Sequence, residues 1–488
     1  MNTKRMNSLN FSRRDFLGTI AATAAFTIVP RSVLGGVGYT PPSDMVNLAG
    51  IGVGAQGGSD IQNIASPDVP IQRRQGAGYT SFSQPYAGIA PQRVVRQASD
   101  NPIQAAERPT VKHANIYALC DVDHDYSGHI LAGYPNAKKY QDFREMIDKE
   151  KEIDAVLIGT PDHTHAVIAA YAMNAGKHVF VEKPMCKTIY EARFLANLAK
   201  QKGLVTQMGN QGHNVEGTMQ TAEWIQSGKI GNVREVRMWS NRPIWRQGYY
   251  PRPEGVPVPA NLNYDVWLGP APQKPYHPDV VHFNWRGLWD YGTGAMGDMG
   301  AHTFDAPIWA LDLGLPTKIQ ATTTPFNNDY LPQTEFCTYE FAARGNMPPV
   351  TVTWTDGGVK PARPAGLEPD RQLREALYIG DRGMIMHGTH GAVPELIPAD
   401  PSFQVAKTLP RPKSVYVDFI EAIKEGRKAA NDFAVSAKLT EIMLLTNIAV
   451  AAQRLNITLE YDAANMKITN CPEANDYFHY EYRNGWKL

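Results

Sequence analysis

The 488-residue sequence carries no net charge, with 48 lysines and arginines against 48 aspartates and glutamates. It has no global field to draw it to nucleic acid or to an anionic membrane, and no nucleic-acid partner is expected. Cysteine is scarce. Cys120, Cys186, Cys337 and Cys471 are too few and too scattered for a disulfide framework, and they lack metal-ligand spacing. Free buried thiols are the expected state, and no metal is expected. Long apolar runs are also missing. Gly18 to Val29 and Ile442 to Ala452 both fall short of the ~20 residues that cross a bilayer, and the second reads as a core helix. No internal repeat is present.

What is there has an ordinary globular balance, with 43% hydrophobic and 20% charged residues. The length suits about two or three domains. Nine tryptophans and 22 tyrosines are generous, and several cluster between Trp239 and Trp309. Such clusters build cores, and they also make platforms for the apolar faces of sugar rings. Near the N-terminus, Ser12-Arg13-Arg14-Asp15-Phe16-Leu17 precedes the first apolar run. Twin arginines in that context are the address of the twin-arginine path. Residues 1–43 are therefore read as signal and linker, cleaved between Pro30 and Ser43. The translocase is the expected partner during export and the periplasm the expected location, with an uncleaved membrane anchor as the alternative.

Residues 44–210 read as a doubly wound parallel sheet of alternating strands and helices. Met45 to Val53 is a strand, and Gly52-Val53-Gly54-Ala55-Gln56-Gly57 follows it as G-x-G-x-x-G at a strand-to-helix junction. There the glycines permit a tight turn, approach of a pyrophosphate and close helix packing. Residues 66–110 are polar, rich in Pro, Gly, Gln and Arg, and read as an insertion. Ile116 to Cys120 is the second strand, and Asp121 at its end would accept from ribose hydroxyls and disfavour a 2′-phosphate. That points to NAD rather than NADP. Asp121 is equally readable as a turn aspartate. Ile153 to Gly159 and His178 to Val181 are further buried strands. From 211 to 456 the pattern changes to alternation over Asn232–Ser240, Lys318–Thr324, Phe336–Phe341, Val350–Thr355 and Leu377–Ile379, which predicts an α/β domain with an open, mainly antiparallel sheet. Ser414 to Leu455 reads as helical, and 457–488 as a tail.

Two stretches carry the chemistry. In Glu182-Lys183-Pro184, a lysine ends a buried strand where open parallel sheets bind ligands, and desolvation there would lower its pKa toward a value useful for proton transfer. Between Asp290 and Asp305, Asp298 and His302 stand four apart, on one face of a helix. Gly292, Gly294, Gly297 and Gly300 argue for close backbone approach. Lysine, carboxylate and imidazole together are able to take a proton from an alcohol while hydride leaves its carbon. The plainer reading is a strand-end lysine, a capping aspartate and a core histidine.

These motifs, in this order, together with Thr160-Pro161 and His165, Ala175-Gly176-Lys177, Gly209-Asn210 and Gly228-Lys229-Ile230-Gly231, resemble the Gfo/Idh/MocA oxidoreductase family over residues 45 to 456. The resemblance implies a Rossmann domain followed by an α/β domain with a large open sheet. It makes Lys183 the catalytic lysine, with Asp298 and His302 as the substrate-side acid/base pair. Thr160, Pro161, His165 and Glu182 would line the dinucleotide site, and Asn210, Gln211 and His213 would approach nicotinamide and substrate. Trp245, Arg246, Trp285 and Arg286 are candidate substrate contacts. The insertion at 66–110 and the Pro- and aromatic-rich loop at 241–285 depart from the family pattern. The function expected is an exported NAD-dependent oxidoreductase acting on a sugar or glycoside hydroxyl, with cofactor held tightly. The alternatives are an NAD-dependent glycosidase working by transient oxidation and elimination, whose known relatives typically lack Glu-Lys-Pro, and a non-catalytic cofactor-binding protein. Homo-oligomers are implied by the resemblance alone.

Overall fold

The first half of the chain alternates short apolar strands with helices. In order these are β1 (Val46–Ile51), α1 (Gln56–Ile64), an antiparallel pair β2 (Tyr79–Phe82) and β3 (Arg93–Arg96), β4 (Ala114–Cys120), α2 (His124–Gly133), β5 (Lys138–Tyr140), α3 (Phe143–Lys149), β6 (Ala155–Ile158), α4 (Asp162–Asn174), β7 (His178–Glu182), α5 (Ile189–Lys202) and β8 (Thr206–Gly209). The computed structural model describes residues 45–71, 79–82, 93–96 and 112–488. The twin-arginine segment and most of the 66–110 insertion therefore lie outside the described residues.

β1 and β6 are buried almost throughout, as strands covered on both faces must be. The strands pair in parallel in the order β5-β4-β1-β6-β7-β8. Strand order reverses between β1 and β6, which places a ligand crevice at their carboxyl ends. Helix ends are locally encoded. α5 starts with a Thr188–Glu191 capping box and stops at Gly203 in the left-handed conformation.

The second half adds α6 (Glu216–Gln226), β9 (Val233–Trp239), α7 (Tyr264–Leu268), α8 (Pro278–Val281), α9 (Ala301–Ala310), β10 (Lys318–Thr323), β11 (Glu335–Phe341), β12 (Val350–Thr355), β13 (Ala376–Gly380), β14 (Met384–His387), β15 (Glu395–Ile397), α10 (Val415–Glu425), α11 (Phe433–Ala452), β16 (Leu459–Asp462) and β17 (Lys467–Ile468). The nine strands run β15-β14-β13-β9-β12-β11-β10-β16-β17, antiparallel except where β9 meets β12. The five alternating runs expected from sequence are β9 to β13. Residues 457–488 are not a loose tail: β16 and β17 extend the sheet, and Leu459, Tyr461, Ile468 and Phe478 are buried. The alternation in β16 spans only four residues, too short to stand out in the sequence.

The expected helical stretch at 414–455 is two helices, because Gly426 ends α10 in the left-handed conformation and Asp432 caps α11 anew. α10 packs Val415, Phe419 and Ile420 with Leu48 and Phe180 of the parallel sheet. α11 is long and apolar enough to cross a membrane by composition, but 78% of its apolar window is buried, so it is a core helix.

Arg193 ties the halves together. Its guanidinium reaches both Glu441 carboxylate oxygens at 2.7 and 2.6 Å, Tyr461 Oη at 3.1 Å and the Ala463 carbonyl at 2.7 Å. Arg193→Ala leaves a buried carboxylate short of its counter-charge and should cost about 3 kcal/mol, read as a fall in the urea midpoint. Arg193→Lys should recover only part, since a point charge does not span both oxygens.

Candidate active site

Four strand ends of the parallel sheet open onto one cleft. Gly52 to Gln56 after β1, Asp121 to Asp123 after β4, Gly159 to Asp162 after β6 and Lys183 after β7 supply side and main chain to a cavity of about 260 Å³. Gly52 has φ +75°, and a Cβ there would lie 2.6 Å from Thr160 Cγ2 and 2.8 Å from the Thr160 amide nitrogen. Gly57 lets α1 press against the Gly52 carbonyl and Gly159. α1 has no side-chain cap at Ala55; the Gly58 and Ser59 amides bond the Ala55 carbonyl, and the helix N-terminus ahead of them faces the cleft for ligand oxygens. The turn therefore fits a dinucleotide pyrophosphate.

Asp121 does more than the sequence suggested. Its Oδ2 accepts from the amides of Val53 and Gly54 at 2.8 and 2.9 Å, and Oδ1 from the Asp123 amide at 3.0 Å. Burial pushes its carboxyl up to about 6. The residue expected to meet ribose thus also holds the glycine turn in shape.

The 241–285 loop returns across the same cleft. Asn261 donates to Asp123 Oδ1 at 2.8 Å, His282 Nε2 stands 3.3 Å from Asp123 Oδ2, and the His282 ring stacks on Tyr126 at 4.0 Å and 7°. Tyr126 in turn covers Gly54, where a Cβ would run into its ring. Trp267, His282, Trp285 and Arg286 all line the cavity. Of these, only Trp285 and Arg286 were candidates from sequence.

At the chemical end, Lys183 Nζ donates to Asp298 Oδ1 at 3.0 Å and to the Asp298 carbonyl at 3.1 Å. An ammonium has three donors, so one remains for a substrate oxygen. Burial alone would raise the Asp298 carboxyl, but the charges of Lys183 and Arg286 outweigh it and hold the group below its ordinary value. Arg286 Nε lies 3.7 Å from Asp298 Oδ1. Asp298 sits on a π-turn, Met296–Gly300, that leads into α9. Its glycines are packing devices: a Cβ at Gly297 would strike Thr293, and one at Gly300 would lie 2.7 Å from Met296 Sδ.

Asp298 does not position His302. Lys183 draws the carboxylate away, and His302 is held by Asn210. The Asn210 amide nitrogen donates to the Ala301 carbonyl at 2.8 Å and to Asp305 Oδ2 at 3.0 Å. Both are acceptors, so Asn210 Oδ1 must face His302 Nδ1, 2.8 Å away. His302 therefore carries its proton on Nδ1 and keeps a lone pair on Nε2. Burial first, then the Lys183 charge, the adjacent His390 ring and the Arg242 charge, push its pKa well below 6.5. It is a neutral imidazole poised as a base.

Behind it, His213 Nδ1 bonds Asp305 at 2.9 Å, and its ring stacks on Trp309. Burial would lower the His213 pKa, but Asp305 outweighs it and raises it. His213 thus supports the site from the second layer and is not a substrate contact. His390 was missed. It stacks on His302 with ring centroids 3.7 Å apart and has φ +59°. Its one sequence signal is a His flanked by Gly388 and Gly391 after β14.

Several expected cofactor residues stand behind the wall. His165 is 1% exposed, with its two ring nitrogens each 2.8 Å from a carbonyl, those of Pro184 and Thr160, of which a neutral ring donates to one. Gln211 donates to Glu182 Oε1 and Tyr416 Oη. Trp245 is buried against Gln247, and Arg246 has Tyr330 as a hydrogen-bond partner, so neither is placed at the cleft. Thr160, Pro161 and Glu182 do line it.

Glu182 shares a hydrogen bond with the buried Asp60, which also accepts from Tyr416 Oη and Gln56 Nε2, each at 2.8 Å. Burial pushes both carboxyls up, Asp60 to about 6, so the pair keeps a proton. A folded-state pKa raised above 3.8 means stability is lost as pH rises from 3.8 through about 6. Asp60→Asn keeps the acceptor and supplies an amide to Glu182. Its advantage over wild type in urea should be absent at pH 4 and present at pH 8; a difference independent of pH would contradict the shared proton.

Residues 239–488 match the C-terminal alpha/beta domain of an oxidoreductase family, and residues 97–210 match its NAD-binding Rossmann fold. An inositol 2-dehydrogenase of Salmonella paratyphi B is 31% identical over 124 residues, 25% of this chain and 37% of that protein. A levoglucosan dehydrogenase of Pseudarthrobacter phenanthrenivorans is 32% identical over 123 residues, 23% of this chain and 31% of that protein. The chain thus spans about a third of the length of these curated relatives. The fold is shared with a solved aldose-aldose oxidoreductase from Caulobacter crescentus, with TM-score 0.52 and 16% identity over 86% of this chain and 100% of that one. The chain belongs to the Gfo/Idh/MocA oxidoreductase family and carries its NAD-binding Rossmann fold.

Proposed function

We propose that the protein, with tightly held NAD, oxidises a sugar or glycoside hydroxyl to the carbonyl or reduces that carbonyl back to the hydroxyl, after export by the twin-arginine path. The observation that carries this reading is the neutral His302, with Nε2 unpartnered among the described residues, in the field of the Lys183 ammonium, which is paired with Asp298 on the wall of the dinucleotide cleft. Export rests on Arg13-Arg14 and their context. The sugar class is supported by relatives named for inositol and levoglucosan.

In the oxidative direction, His302 Nε2 takes the hydroxyl proton while hydride leaves the same carbon. Lys183 offers its third N–H to the oxygen as negative charge develops, and Asp298 fixes the ammonium in place. NAD, when bound, supplies the hydride acceptor. Asn210 acts through His302: it keeps the ring oriented and the proton on Nδ1.

Purified protein incubated with a panel of glycosides should yield keto-sugar. Released aglycone without net oxidation would instead favour the elimination reading, and neither product with NAD bound would overturn both. Lys183→Ala should lower kcat/KM at least 100-fold with the fold intact. His302 must be neutral to accept a proton. Because its pKa is depressed, the acid limb of kcat/KM should lie well below pH 6.5. Asn210→Ala should lower kcat about 100-fold and, by removing an acceptor that favours the protonated ring, shift that limb further downward; an unmoved limb would separate Asn210 from the base.

A further inference from the structure

The turn between β14 and β15 reaches the base from the second sheet. It carries His390 in the left-handed conformation, φ +59°, followed by Gly391 at φ +71°. A residue with a Cβ is strained there, and such strain gathers at ligand sites. Glycines on both sides permit the approach. A Cβ at Gly212 would lie 2.9 Å from the His390 carbonyl carbon, and one at Gly217 would lie 2.1 Å from the Gly391 oxygen. A Cβ at Gly391 would lie 2.1 Å from Val215 Cγ2 and 2.6 Å from Thr218 Oγ1. Two stretches of backbone thus touch where side chains would hold them apart. The stretch that receives the turn follows directly on Asn210, which orients His302.

What the turn delivers is an imidazole. The His390 ring lies on that of His302, with centroids 3.7 Å and planes 26° apart. His302 is 5% exposed and His390 is an exposed residue, so His390 stands on the solvent side of the base, where a ligand can touch it. Lys183, Asp298 and Arg242 all act on it. Desolvation first, then Lys183 and Arg242 against the opposing charge of Asp298, lower its pKa, and the ring is neutral at pH 7. A neutral imidazole offers one donor and one acceptor. Neither ring nitrogen of His390 has a hydrogen-bond partner among the described residues. Covering the face of His302 would need only a flat apolar ring; the two nitrogens suit a hydroxyl, which donates and accepts at once. Oxygens on adjacent carbons of a sugar ring stand about a hydrogen-bond length apart. With one of them at His302 Nε2, its neighbour comes within reach of His390.

We propose that His390 binds the hydroxyl next to the one that reacts, so that the substrate is a vicinal diol of a sugar or polyol ring and a ring lacking the second hydroxyl is disfavoured. The inference rests on the hydride-transfer reading above and adds the pattern of hydroxyls that the substrate carries.

The NAD-loaded full chain is tested with the methyl glycosides of glucose, galactose and mannose, each beside its monodeoxy forms. The keto position of the product identifies the neighbouring hydroxyls. Removing one of these neighbours should lower kcat/KM at least about tenfold in the wild type, and His390→Phe should reduce that ratio to about twofold. His390→Gln, which keeps a donor and an acceptor, should retain more of the ratio than His390→Phe. His390→Phe leaves a flat ring on His302, so a ratio unchanged in that variant would reduce His390 to packing and overturn the inference. Wild-type turnover indifferent to both neighbours would also overturn it and leave hydride transfer standing. If no glycoside turns over, the reading above fails, and the ring-¹⁵N signals of His390, assigned by their loss in His390→Phe, decide the contact. They should shift with at least one parent glycoside and not with one of its monodeoxy forms; no shift with any of the three overturns it.

Discussion

Everything at the chemical centre depends on which way one buried amide points. Asn210 has both of its N–H groups committed to acceptors, the Ala301 carbonyl and Asp305. Its oxygen is thereby turned on His302, and the imidazole is left with one tautomer. Asp305 is itself fixed by His213, which stacks on Trp309. A chain of hydrogen bonds from His213 through Asp305 and Asn210 thus sets the tautomer of His302. Burial then keeps that imidazole neutral, and the positive charges of Lys183 and Arg242 add to the effect.

The parallel sheet makes this possible by delivering its groups at strand ends. The glycine turn, Asp121, Thr160 and Lys183 are far apart in sequence and share one crevice because β1, β4, β6 and β7 end side by side. The 241–285 loop then closes over the nucleotide side through Asn261 and His282. The cofactor site is therefore built from both sheets' connections.

Much of this was legible in sequence where a residue type and its place on an element sufficed. Gly52-x-Gly54-x-x-Gly57 behind a strand, Lys183 at a strand end and the five alternating runs of the second sheet were of that kind. The rest needed contacts between distant segments. Asp298 and His302 are four apart and appeared to be partners, yet Lys183 and Asn210, 115 and 92 residues away, claim them. His165, Gln211 and His213 carry the residue types of ligand contacts, but burial and local carbonyls or carboxylates take up their polar atoms. His390 arrives on a turn with φ +59° that no periodicity marks.

The tautomer of His302 is the central claim, and it can be read without any turnover. A ring-¹⁵N NMR spectrum of labelled protein at pH 7, with His302 assigned by comparison with His302→Gln, should show Nδ1 protonated and Nε2 bare. An Nε2–H tautomer, or an imidazolium at that pH, would contradict the account.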